Sequence, residues 1–464
     1  MAVSIKFLGG VQTVTGSCHL ISLGKTEVLL DAGLFQGRRE ESYLINTVFN
    51  YNPRQIKALV LSHAHIDHCG NIPSLIRKGM RCKIYATHAT KDLALIMLED
   101  SAKIQEEDIK YVNKINRRLG RPLRKILYNK KDVANAVRRI HPLAYEKKTV
   151  IAKDTSLTLY NAGHILGSSV AVLDFKDGKN NIRLGYAVDL GRKNLPMLDD
   201  PQIPKGLDYL ILESTYGGRM HTPIEQAKIR LRDTVNRTLL RGGKILIPAF
   251  SLERTQEVIY LLNELIKEKA IPIVPVYVDS PLSMQITELF TCHTQYMNDK
   301  TCEAINRGDS PFEFLNLRFV HDQKESKSLN IDKRQMIIIA GSGMCESGRM
   351  LHHLKNNIED TRNTVLVVGY MAKDTLGRKI VERSRIVRIF GVECELNAEV
   401  VVINALSGHA DKNDFVDFVT GCLPLKRVFL VHGDEEQTQI LYDTLSQKGY
   451  NVYIPSKNEE VNLA

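Results

Sequence analysis

Short apolar runs that end in glycine or in a polar turn dominate the first third of the chain. SIKFLGG, SCHLISLG and TEVLLDAG follow one another, and IKALVLS and KIYAT come next. Runs of this length, bounded by turn residues, predict β-strands. We therefore expect consecutive strands of one sheet in this part of the chain.

From about Ala89 the apolar residues take the spacing of a helix. Leu93, Ile96 and Met97 fall at positions i, i+3 and i+4, and most charges of KDLALIMLEDSAKIQEEDIK lie off that stripe. The segment 110–148 that follows is predicted to be largely helical as well, with interruptions at Gly120 and Pro122.

Strand-like runs return after the basic segment, and the pattern changes again at about residue 208. Strands return at TVIAKD, LTLYNAGH, SVAVLDFKDG, IRLGYAVDLG and DYLILESTYGG, and then strands alternate with helices from about 208 to 395. Such alternation predicts a parallel α/β unit. After about 395, VVINALSGHA and VFLVHGDEE are strand-like again. We predict two domains, one inserted in the other: residues 1–207 and 396–464 form the outer domain, and residues 208–395 form the inserted one.

The composition is that of an ordinary soluble globular protein. Of its 464 residues, 43% are hydrophobic and 25% charged. No apolar run approaches the roughly 18 residues that a membrane span needs. The start, MAVSIKFLGG, is too short and too polar for a signal peptide. The eight cysteines lack CxxC spacing, which is typical of reduced thiols. These features predict a cytoplasmic protein with no membrane partner.

Positive charge is concentrated in one segment. The chain carries a formal net charge of +10, and residues 110–148 hold thirteen Lys or Arg against Asp132 and Glu146, a local net of 13 − 2 = +11. Such a field favours a polyanionic partner such as nucleic acid. The alternative is a solvated surface that only keeps the protein soluble.

The most informative motif is HAHIDH, at residues 63–68, directly behind a predicted strand. With the histidine and acid frequencies of this chain, a chance match to its pattern is expected in about one chain of this length in a thousand. In extended backbone His63 and His65 point the same way and can bind one metal ion together. Asp67 and His68, at the following turn, can reach a second ion.

Three further residues are predicted to end strands: His164, Asp189 and His432. Each alone is more often structural than a ligand. Strand ends on one edge of a sheet converge, however, so these residues can complete two sites with the HAHIDH motif. Histidine and carboxylate without thiolate favour zinc, with manganese as the alternative. An aspartate can bridge two such ions. Asp31, which ends TEVLLD, is predicted to orient the site from behind the ligands.

These motifs resemble a known superfamily. The order Asp31, HAHIDH, His164, Asp189 is similar to motifs one to four of the metallo-β-lactamase superfamily. ESTYGGR at 213–219, SGHAD at 407–411 and VHGDEE at 431–436 resemble motifs A, B and C of its nucleic-acid-processing β-CASP branch. The likeness covers nearly the whole chain and is greatest to bacterial and archaeal relatives of the endonuclease of the RNA 3′-end cleavage and polyadenylation factor. It implies an α/β fold: an αββα metallo-β-lactamase sandwich with an inserted parallel α/β β-CASP domain.

The resemblance also implies roles for individual residues. One zinc ion falls to His63, His65 and His164, the other to Asp67, His68 and His432, and Asp189 lies between the two ions. His409 matches the motif B position, where RNA-acting relatives carry histidine. It is implied as the general acid that protonates the leaving oxygen, with Glu213 holding it by a hydrogen bond. Asp67, Asp189, His409 and Glu213 are thus the predicted catalytic residues.

Contacts with RNA are predicted from weaker signals. GSGMCESGR places Ser342 and Gly343 between a strand and a helix, where backbone amides can bind a phosphate. Arg254 and Arg349 can bind phosphates through both guanidinium nitrogens. A turn that only reverses the chain, and structural ion pairs of the two arginines, are the alternatives.

Taken together, these features predict a zinc-dependent ribonuclease that hydrolyses single-stranded RNA, most simply as an endonuclease. The alternatives are a 5′ exoribonuclease, a small-molecule hydrolase of thioester type with the same fold, and a non-catalytic RNA-binding subunit. The resemblance is compatible with a homodimer.

Overall fold

The computed structural model describes residues 3–37, 39–177, 180–372 and 374–463. These residues form two compact units. The first consists of the described residues of 1–193, 200–220 and 408–464, and the second consists of 194–199 and 221–407. The domain boundaries at 207/208 and 395/396 stay predictions, which limited proteolysis can test.

The first part of the first unit is built mainly of strands, with helices between some of them. In chain order its elements are β1 Val3–Gly9, β2 Cys18–Leu23, β3 Thr26–Leu30, α1 Arg39–Thr47, β4 Ile56–Val60, α2 Ile66–Cys69, α3 Ile72–Arg77, β5 Lys83–Ala86, α4 His88–Arg118, α5 Lys130–Val137, β6 Ile140–Pro142, β7 Thr149–Ala152, β8 Thr155–Asn161, β9 Ser169–Asp177, β10 Asn180–Ala187 and β11 Tyr209–Glu213.

The second unit alternates helices and strands, and the chain then returns to the first unit. The elements of the second unit are α6 Ile224–Leu240, β12 Ile245–Pro248, α7 Arg254–Lys267, β13 Val276–Asp279, α8 Pro281–Cys292, α9 Asp299–Asn306, β14 Leu317–Phe319, α10 Gln323–Ile331, β15 Ile337–Ala340, α11 Gly348–Asn357, β16 Thr364–Val367, α12 Leu376–Val381, β17 Ile386–Ile389, β18 Val392–Glu395 and β19 Glu399–Val402, with 3₁₀ turns at Thr294–Tyr296 and Asn404–Leu406. The returning segment contains α13 Lys412–Gly421, β20 Arg427–Val431, α14 Glu435–Gln447, β21 Val452–Tyr453 and β22 Glu460–Leu463.

Two seven-stranded sheets form the first unit, in the orders β22-β1-β2-β3-β4-β5-β6 and β21-β20-β11-β10-β9-β8-β7. Their strands alternate between buried residues on the inner face and other residues outside, as in Val3, Ile5 and Phe7 of β1 and Leu157 and Leu159 of β8. These inner faces share one apolar core. A second core lies where helices α13 and α14 cover the outer face of the second sheet. Two sheets packed through one core, with helices outside, form the predicted sandwich.

One parallel sheet, in the order β14-β13-β15-β12-β16-β19, lies at the centre of the second unit. Its inner strands ILIP, VYVD, IIIA and TVLV are buried at every residue. Burial on both faces is characteristic of parallel strands with helices on either side. The predicted α/β fold class, with its inserted parallel α/β domain, is confirmed.

The prediction that residues 110–148 are largely helical is only partly correct, because the helices cover 110–118 and 130–137, and β6 Ile140–Pro142 follows them. Helix α4 stops at Arg118 and α5 starts at Lys130. Between them Gly120 has a φ of 62°, and Pro122 has no N–H to donate. The loop is held by Asn113, which accepts from the backbone N–H of Arg124 at 2.8 Å and donates to its carbonyl at 2.9 Å. Among the described residues, no helix is long and apolar enough to cross a membrane.

Candidate metal centre

Several predicted site residues follow strand ends in an unusual backbone conformation. Asp31, Asp189 and His432 follow β3, β10 and β20, and their φ angles are 55°, 52° and 47°. Such left-handed backbone is uncommon for residues other than glycine and is concentrated at functional sites. The chain also passes closely here: a Cβ on Gly33 would lie 1.5 Å from the carbonyl oxygen of Asp67.

The first group of converging side chains contains His63, His65, His164 and Asp189. The Nε2 atom of His63 lies 3.0 Å from Nδ1 of His65, which lies 3.4 Å from Nε2 of His164. The Oδ2 atom of Asp189 lies 3.1 Å from Nε2 of His63 and 3.5 Å from Nε2 of His164. The potential ligand atoms all lie within 4.8 Å of one another.

The second group contains Asp67, His68 and His432 and adjoins the first. The Nε2 atoms of His68 and His432 are 3.3 Å apart, and Oδ2 of Asp67 lies 3.7 Å from Nε2 of His432. Asp189 reaches this group too, because its Oδ2 lies 3.5 Å from Nε2 of His68. It also forms a further potential group with Glu213 and His432. The structure thus brings the seven predicted metal-binding residues together, with Asp189 between the two groups.

The hydrogen bonds behind the ligands fix which ring nitrogens face inward. His68 donates from Nδ1 to Asp31 at 2.7 Å, and His164 donates from Nδ1 to the carbonyl of Gly408 at 3.2 Å. Ser62 gives its hydroxyl hydrogen to Asp31 at 2.7 Å, so this hydroxyl accepts from Nδ1 of His63 at 3.0 Å. The Nε2 atoms of all three histidines therefore face the cluster, the orientation that metal-binding histidines adopt.

This donor set fits metal ions. Ring nitrogens about 3 Å apart repel each other through their lone pairs unless a proton or a metal ion lies between them, and burial makes that repulsion stronger. Burial lowers the pKa of His63 to about 4 and holds that of His164 well below its usual value, so both rings are neutral at pH 7. Neutral imidazoles beside carboxylates are ligands that suit zinc.

Asp31 accepts the hydrogen bonds that organise the cluster from behind. Besides His68 and Ser62, it accepts from the hydroxyl of Tyr186 at 2.9 Å, and all four residues are fully buried. Tyr186 is not recognisable as a site residue from the sequence, because it alternates with Leu184 along β10 as an ordinary core residue does. Its only distinguishing feature is a polar hydroxyl, which in a buried tyrosine needs a partner.

Replacing Asp31 by alanine is expected to weaken metal binding by about 10- to 100-fold, because His68 loses the acceptor that orients its ring. Competition with a chelator of known zinc affinity measures the effect. Tyr186→Phe removes one of the hydrogen bonds to Asp31 and should cause a smaller loss. Equal zinc affinity in wild type and Asp31→Ala would contradict this role.

His409 lies beside the first group and is held by Glu213. Its Nδ1 atom lies 3.2 Å from each carboxylate oxygen of the fully buried Glu213. The backbone of His409 pairs with Gly191 in an isolated β-bridge. Its ring contacts that of His164, with centroids 4.7 Å apart. Burial alone would lower the pKa of His409, but the charge and hydrogen bond of Glu213 outweigh burial and raise it. His409 can therefore hold a proton beside the cluster.

The residues predicted to contact RNA in the second unit have partners within that unit. Arg254 pairs with the buried carboxylate of Glu257, and Arg349 pairs with that of Asp279. The hydroxyl of Ser342 accepts from the backbone N–H groups of Glu346 and Ser347. Gly343 lies against Phe250. These contacts give the four residues a structural role that does not involve RNA. Their RNA-binding role stays a prediction.

The partner of Arg349 belongs to a buried network whose loss should destabilise the protein. Asp279 also accepts from Ser326 and from Nε2 of His353, each at 2.6 Å. We expect Asp279→Ala to lower the free energy of unfolding by about 3–5 kcal/mol, because it leaves the buried His353 and the half-buried Arg349 without their carboxylate partner. Urea denaturation measures this, with the exposed Asp443→Ala as control. A loss below about 1 kcal/mol would show that the network contributes little.

Three protein-family profiles match the chain, and they cover most of it. They are a metallo-beta-lactamase superfamily domain at residues 20–200, a Beta-Casp domain at 255–380 and a Zn-dependent metallo-hydrolase RNA specificity domain at 393–455. The chain is also 35% identical to ribonuclease TTHA0252 of Thermus thermophilus, over 98% of both chains. The chain belongs to the β-CASP branch of the metallo-β-lactamase superfamily.

Several other relatives of this β-CASP chain are archaeal transcription termination factors. It is 32% identical to the transcription termination factor FttA of Methanosarcina mazei, over 96% of this chain and 69% of that protein. A crystal structure of a protein of unknown function from Enterococcus faecalis V583 matches with a TM-score of 0.56 and 14% identity, over 100% of both chains. That likeness shows the fold alone. Family membership establishes a metal-dependent hydrolase.

Proposed function

We propose that this protein is a zinc-dependent ribonuclease that cuts single-stranded RNA internally in the cytoplasm. The observation that carries the proposal is the pairing of His409 with Glu213 beside two adjoining groups of metal-binding side chains. Similarity to a bacterial ribonuclease over nearly the full length of both chains supports RNA as the substrate.

Seven side chains would hold two zinc ions. His63, His65 and His164 would bind one, Asp67, His68 and His432 would bind the other, and Asp189 would bridge them. When bound, the two ions would polarise the phosphodiester and activate water for attack on phosphorus. Burial would lower the pKa of His68 and His432, but the charges of Asp189 and Asp67 outweigh it and raise the pKa of both rings. Both rings would therefore lose a proton when they bind a metal ion.

His409 would complete the reaction by proton donation. An alkoxide is a poor leaving group at neutral pH, so its oxygen needs a proton as the P–O bond breaks. His409 carries that proton because the buried carboxylate of Glu213 raises its pKa. Glu213 also fixes the ring, since both its oxygens lie 3.2 Å from Nδ1 and leave Nε2 to face the substrate.

The test uses one RNA labelled internally and a second labelled at its 5′ end, with protein loaded with zinc or stripped by a chelator. Internal fragments that appear only with zinc are the expected result. Mononucleotides released from the 5′ end would instead make the protein a 5′ exoribonuclease.

Two further outcomes would reject the proposal. Bound RNA that stays intact with two zinc ions present would favour a non-catalytic binding subunit. Hydrolysis of a thioester without cleavage of RNA would favour a small-molecule hydrolase. Metal content measured by mass spectrometry on the same samples separates loss of metal from loss of chemistry.

A further inference from the structure

The exposed end of α4 carries a surface that the proposed cleavage reaction does not use. At 3.6 residues per turn, Lys110, Lys114, Arg117 and Arg118 project within an arc of about 100° around the helix. All four are exposed. The described residues give none of them a carboxylate partner, whereas the nearby Arg124 pairs with Glu40. These four residues are called the basic stripe below.

An apolar stripe runs beside the basic one. Ile104, Tyr111 and Ile115 project within an arc of about 40°, adjacent to the basic arc. They are 57%, 57% and 37% exposed, and Leu119 at the end of the helix is 57% exposed. The guanidinium carbon of Arg39 lies over the ring of Tyr111, 5.8 Å from its centroid. Large apolar side chains left in water along one helix face are characteristic of a binding surface.

We propose that the two stripes bind single-stranded RNA outside the catalytic cluster, with phosphates on the basic stripe and a base stacked on the ring face of Tyr111 opposite Arg39. This inference rests on the proposed function. The charge of this surface favours RNA over a second copy of the chain as its binding partner. Residues 110–148 carry a local charge of +11, so a second copy of the chain would bring two such segments together, whereas a polyanion is attracted. Basic side chains beside an aromatic ring are the usual means of binding single strands without sequence preference.

The position of the surface predicts a dependence on RNA length. The first turn of α4 adjoins the loop that carries His164, because the hydroxyl of Thr90 donates to the carbonyl of Gly167 at 2.8 Å. Lys114 lies 24 residues further along the helix, which at 1.5 Å per residue is about 36 Å. A stacked strand rises about 3.4 Å per nucleotide, so RNA would need about ten nucleotides to reach from the His164 loop to Lys114.

The test compares RNA of about 5 and about 30 nucleotides. Binding is measured by fluorescence anisotropy on zinc-loaded protein in a His409→Ala background, which slows cleavage during the measurement. The test variant is Lys114→Glu, Arg117→Glu, Arg118→Glu. Its control, Lys25→Glu, Lys57→Glu, Lys448→Glu, changes the net charge equally at exposed sites elsewhere on the first unit.

The test variant should bind the long RNA about tenfold or more weakly than the wild type. Its plot of log affinity against log salt concentration should have a slope shallower by about 2, because each lost phosphate contact contributes about 0.7. Binding of the short RNA should not change. Tyr111→Ala should lower the affinity for the long RNA by about fivefold or more. Tyr111→Phe, which keeps the aromatic ring, should bind this RNA as the wild type does. Cleavage of the short RNA, measured with His409 restored, should be that of the wild type.

Four results would overturn the proposal. Equal losses of RNA affinity in the test and control variants would show an effect of bulk charge, and equal losses for both RNA lengths would place the effect at the catalytic cluster. The third result is an unchanged RNA affinity of the test variant. The fourth is that the wild type binds phosphatidylserine vesicles and the test variant does not, while RNA binding stays intact. Failure of the wild type to cleave any RNA would reject the proposed function but leave the binding comparison interpretable.

Discussion

Replacing Asp189 by alanine is expected to abolish RNA cleavage and to reduce the affinity for both metal ions. Its Oδ2 atom lies between 3.1 and 3.8 Å from ring nitrogens of His63, His65, His68 and His164, so a single substitution removes a proposed ligand from both groups. Metal ions contribute several kcal/mol to such transition states, so the rate should fall by about 10⁴-fold or more. Steady-state cleavage and bound zinc are the measurements.

A second variant distinguishes a residue that would bind both metal ions from one that would bind a single ion. Asp67 belongs to one group only, so Asp67→Ala should abolish cleavage while one zinc ion and most of the RNA affinity remain. Asp443→Ala, on the exposed face of α14, controls for loss of a carboxylate and should behave as the wild type. Full zinc content in Asp189→Ala would remove the argument for a bridging role. Equal loss of cleavage and RNA binding in Asp67→Ala would undermine its assignment as a ligand.

The fold was predictable from local patterns, since most strands of the chain carry a recognisable signal. Runs such as TEVLL and IIIA are apolar, short and bounded by turns, and the strand–helix alternation after residue 208 gave the parallel unit. The loop at 119–129 was predicted less well. Its course depends on the two hydrogen bonds between Asn113 and the backbone of Arg124, and periodicity carries no information about such contacts.

The site was predictable where its residues form motifs or end strands. HAHIDH, His164, Asp189 and His432 could be chosen because strand ends meet at one edge, and the structure brings them together. Tyr186 could not be chosen, because its hydrogen bond to Asp31 spans 155 residues and depends on how the two sheets face each other. The stripe at Ile104, Tyr111 and Ile115 could be seen as periodic, but periodicity does not tell whether a neighbouring element covers it.

His409→Ala is expected to slow cleavage by about 10²- to 10⁴-fold while both metal ions and RNA affinity are retained, because only proton transfer to the leaving oxygen is lost. Glu213→Gln should act in the same direction with a smaller effect, since the amide still orients the ring but carries no charge. Single-turnover cleavage and zinc content measure both. Loss of zinc in His409→Ala would make His409 a ligand rather than the acid.

Two further measurements, with a changed leaving group and with varied pH, test the proposed role of His409. An RNA with one bridging sulfur in place of the leaving oxygen needs little protonation, because a thiol has a pKa of about 8.5. It should therefore be cut at similar rates by wild type and His409→Ala. With the natural substrate, the contribution of His409 requires its proton. That contribution is present below its raised pKa and is lost as the pH rises through it. The alkaline fall in rate should accordingly disappear in His409→Ala. A sulfur substrate that the variant still cuts 10²-fold more slowly than the wild type would show that His409 does not act as the general acid.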